Sequence, residues 1–539
     1  MNSSHGDTRR GSWDLDTIPF LILATFLGAY ARLSPVLSSD FPLNDGALFT
    51  VMVRDIQSAG YFLPKYVNFN ALQIPYAYPP LGFYIAGFIT DLLNLQLIDV
   101  VRILPAIFSI LTIPAFYLLA NEILTKKSQV LVAVFAFALV PRSFEWMIMG
   151  GGLTRAPGFL FSILAIYYAY LMYSKSANKY VIFTITFSSL CVLSHPEMAW
   201  NVLLTAFLFL IFINHNRKAL LKSLLVAVGV LIMTSPWWLS LLLTHGITPL
   251  IAGFRSGHSA FSMLGPFLRL NFGDELFLQL VSLLALLGIF VSIFRKELLL
   301  PVWLAAIMIL SPRGGLTNAT VPLSMLAGIG MDVIIAAGVN LTTVNRSTDN
   351  TNKMATDSGI NQLMQNRFSK WFLGFFIIYL LIMAAILPVF RPETLTSISK
   401  EERVAMHWVA NNTAAESKFL VVNSLDAFWV DAVSEWFPVL SNRENLVLVQ
   451  GSEWIPEAFS TKWISYLQVQ RCAFTESTCV EDWSASQNGS FTHVYISKFL
   501  PGRKPAQRGL YISLKNSDEF DLIYDTESVA IFERKLMGE

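Results

Sequence analysis

Apolar runs close to the length of a bilayer crossing recur from one end of this chain towards the other, and they restrict it more than any other feature. They lie near 17–33, 103–122, 129–141, 157–173, 180–194, 198–213, 219–243, 276–294, 298–311, 320–338 and 371–390. A helix needs about 20 apolar residues to cross a hydrocarbon core of about 30 Å. With 54% hydrophobic and only 14% charged residues, the chain is too apolar for a soluble protein. The expected fold class is a polytopic α-helical membrane protein with about eleven spans, carrying an α/β domain outside the membrane at its C-terminal end. A net charge of +1 without a basic run gives nucleic acid no footing.

Arg9-Arg10 precede the first apolar run, and Ala29-Tyr30-Ala31 has the look of a signal-peptidase site. An uncleaved first span with a cytoplasmic N-terminus is expected, because many further spans follow. The apolar stretch Leu81–Thr90 stops at Asp91 and is too short to cross, so it is read as a helix in the interface. Residues 45–60 place Leu48, Phe49, Met52, Ile56 and Ala59 on one helical face and Thr50, Arg54, Gln57 and Ser58 on the other, which predicts a second surface helix. Both fall in a first outer loop, 34–97.

Lysines test this parity. Of the ten before residue 391, nine fall on the cytoplasmic side and only Lys65 falls outside, as the positive-inside tendency requires. The protein is thus expected in the cell membrane, as a multi-pass domain over 1–390 with a polar cytoplasmic loop at 339–370. Residues 391–539 alternate helix-like and strand-like patterns (400–411, 418–423, 445–449, 457–470, 491–497, 520–533) and read as the extracytoplasmic α/β domain. Cys472 and Cys479 close a short loop there and are expected to form a disulfide. Cys191, in an apolar run, reads as inert filler.

Ionisable groups collect in the outer loops, among them Asp40, Asp45, Lys65, Arg142, Arg155, His195, Glu197 and Arg313. Most surface charges are simply solvated, but several of these flank very apolar helix ends. Asp45 is the leading candidate for a general base, with Gly46 allowing close approach. Asn44-Asp45 could equally cap the helix that begins near Ala47. Tyr76 and Tyr78 precede Pro79-Pro80-Leu81 in the same loop, where proline suits a helix start and aromatic rings suit an interface.

The order of first span, loop acid Asp45, surface helix, Pro79-Pro80-Leu81, second surface helix, Arg102-Ile103-Leu104-Pro105-Ala106 and external C-terminal domain resembles the multi-spanning GT-C glycosyltransferases, closest to the protein O-mannosyltransferase and aminoarabinose-transferase branch. That resemblance implies Asp45 as catalytic acid/base and a sugar on polyprenyl phosphate as donor. Mannosyltransferases usually carry Asp-Glu where this chain has Asp45-Gly46, and a His where it has Tyr78. A divalent cation such as Mg or Mn therefore stays open, and none is required.

Such a donor needs its phosphate held. Gly150-Gly151-Gly152-Leu153-Thr154-Arg155 offers glycine amides and a guanidinium at an outer helix junction, and Arg313-Gly314-Gly315 offers a similar set. A flexible turn explains a glycine run as well. Ser194-His195-Pro196-Glu197, with His258 or Asp45, could complete a metal site, or could be only a helix boundary shaped by Pro196. The expected function is transfer of a hexosyl or pentosyl unit to a glycan, lipid or protein acceptor outside the cytoplasm, with the bilayer as the other partner. The competing class is a transporter or flippase with an external ligand-binding domain, which would show repeated halves and charges at the midplane; Asp332 is the main charged residue inside a span.

Overall fold

A computed structural model describes residues 17–175, 177–256, 264–311, 315–344, 367–487 and 489–535. Among the described residues six helices are long and apolar enough to cross a membrane: Ile18–Leu37, Leu97–Ile123, Gly152–Ser174, Arg217–His245, Gly315–Gly338 and Arg367–Phe390. A seventh crossing forms if Lys127–Leu139 and Pro141–Met147, bent by 74°, count as one broken span. This is a multi-pass membrane protein. Of the eleven expected spans, those at 180–194, 198–213, 276–294 and 298–311 are helices of 12 to 17 residues.

The elements that frame the site are α1 (Ile18–Leu37), α2 (Ala47–Ser58), α3 (Leu81–Leu93), α4 (Leu97–Ile123), α5 (Lys127–Leu139), α6 (Gly152–Ser174), α7 (Lys179–Val192) and α8 (Pro196–Phe212). Between α2 and α3 runs a hairpin of β1 (Tyr66–Phe69) and β2 (Leu72–Pro75). Polar groups tie the apolar bundle together. Arg32 of α1 is wholly buried and donates to the Ser109 hydroxyl at 3.0 Å and to the carbonyls of Gly28 (3.1 Å) and Ala138 (2.5 Å). Asp332 is held by Lys126 at 2.9 Å and the Ser128 hydroxyl at 2.8 Å, so it fastens helix Gly315–Val344 to the start of α5.

Residues after the last long helix build a five-stranded mixed sheet in the order β4-β3-β5-β9-β8. Its strands are β3 (Lys418–Val422), β4 (Glu444–Asn445), β5 (His493–Ser497), β8 (Phe520–Asp525) and β9 (Val529–Arg534); a two-stranded ribbon of β6 (Phe499–Leu500) and β7 (Lys504–Pro505) lies beside it. The strand expected over 445–449 shrinks to the two residues of β4.

Side chains alternate across this sheet as a period of two demands. Phe419, Val421, Tyr495, Val529 and Ile531 point into a core shared with Phe41, Leu48, Met52, Val53, Tyr76 and Phe83 of the first loop. Leu420, Val422, Val494, Ile496, Ala530 and Phe532 face a second core covered by helices Ala458–Arg471, Thr478–Gln487 and Gly509–Lys515. The first loop and the sheet therefore share an interior. This corrects the reading of α2 as a surface helix: Thr50, expected on its wet face, is fully buried, as are Val53 and Ile56. α3 keeps apolar Phe88, Leu92 and Leu93 exposed. The Cys472–Cys479 disulfide is present with Cα atoms 5.5 Å apart, and its short loop is worth about 2–3 kcal/mol by loop-closure entropy.

Candidate active site

The loop before α2 turns through Asn44 (φ 50°) and Gly46 (φ 118°), left-handed backbone that suits glycine at the second position. It has no capping side chain of its own. The open amides at the start of α2 are instead taken by Glu435, from helix Ala432–Ser441: its Oε1 accepts from the N–H groups of Gly46 (3.0 Å), Ala47 (3.0 Å) and Leu48 (3.4 Å). Asp45 is not the helix cap. Burial pushes the Glu435 carboxyl up to about 8, with the charge of Asp45 adding to the rise and the three amides opposing it.

Freed from capping, the Asp45 side chain turns to the start of α6. Its Oδ1 accepts from the Gly151 N–H at 2.7 Å and its Oδ2 from Arg155 Nη2 at 2.7 Å. Arg155 also lies over the Trp146 ring, 5.6 Å from its centroid. The glycine run is what lets the two segments meet: a Cβ on Gly150 would sit 1.9 Å from the Asp45 carbonyl oxygen, and the Gly150 N–H donates to the Leu43 carbonyl at 3.0 Å. The glycine amide and the guanidinium that the sequence offers to a phosphate are thus directed at the carboxylate of Asp45. Both side chains of the pair keep 20% exposure, so the site opens to solvent.

Two further candidates connect to the start of α6 through Thr154, and a third follows them in sequence. The Thr154 hydroxyl donates to the Tyr78 oxygen at 3.3 Å, and the Tyr78 ring packs edge-on to Phe49 and Trp454. His195, nearly buried at the start of α8, has its ring centroid 6.2 Å from that of Tyr78. Glu197 follows in the first turn of α8.

Other candidates are placed elsewhere. Asp40 forms a two-point pair with Arg403 at 2.9 and 2.6 Å, which holds its carboxyl below the usual range and clasps the first loop to helix Lys400–Asn412. Tyr76 is buried, its hydroxyl donating to the Met52 carbonyl at 3.0 Å; it is a core residue, not an interfacial one. Lys65 is exposed, and its carbonyl accepts the Tyr76 N–H at 3.0 Å. Arg142 pairs with buried Asp274, which Arg391 approaches at 3.5 Å. Arg313 and His258 lie outside the described residues. Among the described residues no three His, Cys, Asp or Glu side chains group as a metal site.

Sequence reasoning missed Glu435 and Trp436, whose indole N–H donates to the Asn44 carbonyl at 3.0 Å. Only the apolar stripe Val433, Trp436, Phe437 and Leu440, which marks helix Ala432–Ser441 as half buried, hinted at them.

Residues 77–239, which contain Tyr78, Arg155 and His195 but not Asp45, match the family model of dolichyl-phosphate-mannose-protein mannosyltransferase. A comparison with curated proteins gives no match. Among solved structures, the chain is similar to the oligosaccharyltransferase AglB from Archaeoglobus fulgidus, in complex with an inhibitory peptide and a dolichol-phosphate, at TM-score 0.60 and 14% identity over 90% of this chain and 70% of that one. ArnT from Cupriavidus metallidurans bound to undecaprenyl phosphate gives 0.51 and 13% over 96% and 98%. Arabinofuranosyltransferase AftD from Mycobacteria gives 0.56 and 14% over 96% and 40%.

Proposed function

We propose that this chain, which has the fold of the GT-C glycosyltransferases, moves a sugar from a polyprenyl-phosphate carrier to a hydroxyl-bearing acceptor outside the cytoplasm. The observation that carries the reading is the Asp45 carboxylate: it is not spent on helix capping, is oriented by one amide and one guanidinium, and is still open to solvent. Each oxygen has a lone pair beyond the one already engaged, so an acceptor O–H can approach. The carriers bound by AglB and ArnT, dolichol-phosphate and undecaprenyl phosphate, support the donor class.

In the reaction Asp45 takes the acceptor proton while the acceptor oxygen attacks the anomeric carbon. The new C–O bond forms as the bond to the carrier phosphate breaks, with inversion at that carbon. The bond electrons leave with the phosphate, and Arg155, already beside Asp45, offsets the charge that develops there. Asp45 then returns its proton to water.

The lysine distribution supports a cytoplasmic N-terminus and an external sheet, and the exposed Ile182, Leu203 and Phe207 of the short helices α7 and α8 support their lying against lipid, as a count near eleven spans requires.

Asp45→Asn is the test. Because Asp45 caps nothing, the variant should fold and insert normally, yet transfer from a polyprenyl-phosphate sugar should fall by about 10²–10⁴-fold, the range for loss of a general base. Wild-type turnover by Asp45→Asn in proteoliposomes would remove Asp45 from the mechanism.

A further inference from the structure

We infer that Glu435 is a positioning residue for the transfer site: delivered by the C-terminal part of the chain, it occupies the amides at the start of α2 so that Asp45 is left free for the acceptor. The inference rests on the reading of Asp45 as base.

The geometry divides the work between two carboxyls. A helix start has several open N–H groups, and Asp is among the side chains most drawn to them. Asp45 sits one residue before the Gly46 boundary, and no side chain of its own loop caps the helix. Glu435 fills that role from 389 residues away in sequence, through one oxygen that accepts three N–H groups. Its neighbour Trp436 holds the Asn44 carbonyl at 3.0 Å, and the Trp429 carbonyl holds the Asn44 side-chain amide at 3.2 Å. The Gly151 amide and Arg155 bond to Asp45 rather than to Glu435, so Glu435 reaches the reaction through where it puts Asp45. With the Glu435 carboxyl removed, buried amides lose their acceptor, and Asp45, the carboxylate one residue before the helix boundary, would have to leave Arg155 to serve them.

The experiment is a mutant cycle in proteoliposomes with a polyprenyl-phosphate sugar donor. Glu435→Ala should lower kcat by about 10–100-fold with the donor KM little changed, as expected of a base misplaced by about 1 Å. Glu435→Gln keeps an acceptor oxygen in place and should recover kcat to within about five-fold of wild type. In an Asp45→Asn background Glu435→Ala should cost almost nothing more, because its effect passes through Asp45. A kcat for Glu435→Ala near wild type, a loss confined to KM, or a full second loss on top of Asp45→Asn would each overturn the proposal.

A second measurement reads the loop without catalysis. Leu43 is buried, and the native cysteines are one buried thiol and one disulfide, so a thiol introduced by Leu43→Cys can be followed over a low background of alkylation. Alkylation of that thiol should be slow when Glu435 is unchanged and when it carries Glu435→Gln, since an acceptor oxygen remains in both. With Glu435→Ala it should be faster by about ten-fold or more, as the loop opens locally. Equal rates in all three overturn the proposal. If Asp45→Asn proves fully active while the alkylation rates separate as stated, the base assignment fails and the positioning of the loop by Glu435 stands.

Discussion

Gly150 decides whether two distant stretches of chain can touch. With a Cβ 1.9 Å from the Asp45 carbonyl oxygen and 3.0 Å from the Gly46 Cα, alanine cannot be accommodated without parting the loop from α6. Gly150→Ala should therefore insert normally but lose transfer by about 10²-fold, the cost of moving a catalytic group by about 1 Å. Wild-type transfer rates in the purified variant would show that the approach is not needed. The sequence offers Asp45 as an acid beside Gly46 in the first outer loop and Arg155 as a charge just before the apolar run 157–173. Their pairing was not legible, since it joins positions 110 apart and depends on glycines that read equally well as a phosphate cradle. Glu435 was less legible still, because a long-range cap leaves no local spacing.

At the level of elements, helices were legible where their apolar pattern met one environment and misleading where they met two. α2 has the pattern of a half-wet helix, yet Thr50 on its expected wet side is buried, and Leu48, Met52 and Val53 share a core with the sheet. Alternation in β3, β5 and β9 was readable as strands, but not that one face would close over a membrane loop. His493 of β5 gives this sheet a measurable signature. Its ring stacks on Phe419 with centroids 4.6 Å apart, and burial, together with the nearby charge of Arg443, drives its pKa down to about 4. Glu533 approaches at 3.8 Å but is 56% exposed, so water screens it and burial prevails. A histidine with a depressed folded value contributes stability that is complete above its unfolded value of about 6.5 and is lost as pH falls towards 4. Thermal unfolding of the detergent-solubilised protein should move to lower temperature across that window, and His493→Gln should flatten the trend. An unchanged slope in the variant would assign the acid sensitivity to another group.

For the molecule as a whole, the lysine asymmetry predicts one orientation. In intact cells a membrane-impermeant maleimide should label Lys418→Cys, at an exposed strand start, and leave Lys353→Cys unlabelled. The reverse pattern would put Asp45 on the cytoplasmic side and end the case for an external acceptor. The shared core between the first loop and the sheet also orders events in time. Asp45 leaves the ribosome early, while Glu435 follows 389 residues behind Gly46, after the last long helix. A nascent chain that has threaded these long helices into the bilayer still lacks the acceptor for the amides at the start of α2. On the mechanism proposed above, a chain gains transfer activity only once it is translated past Trp436.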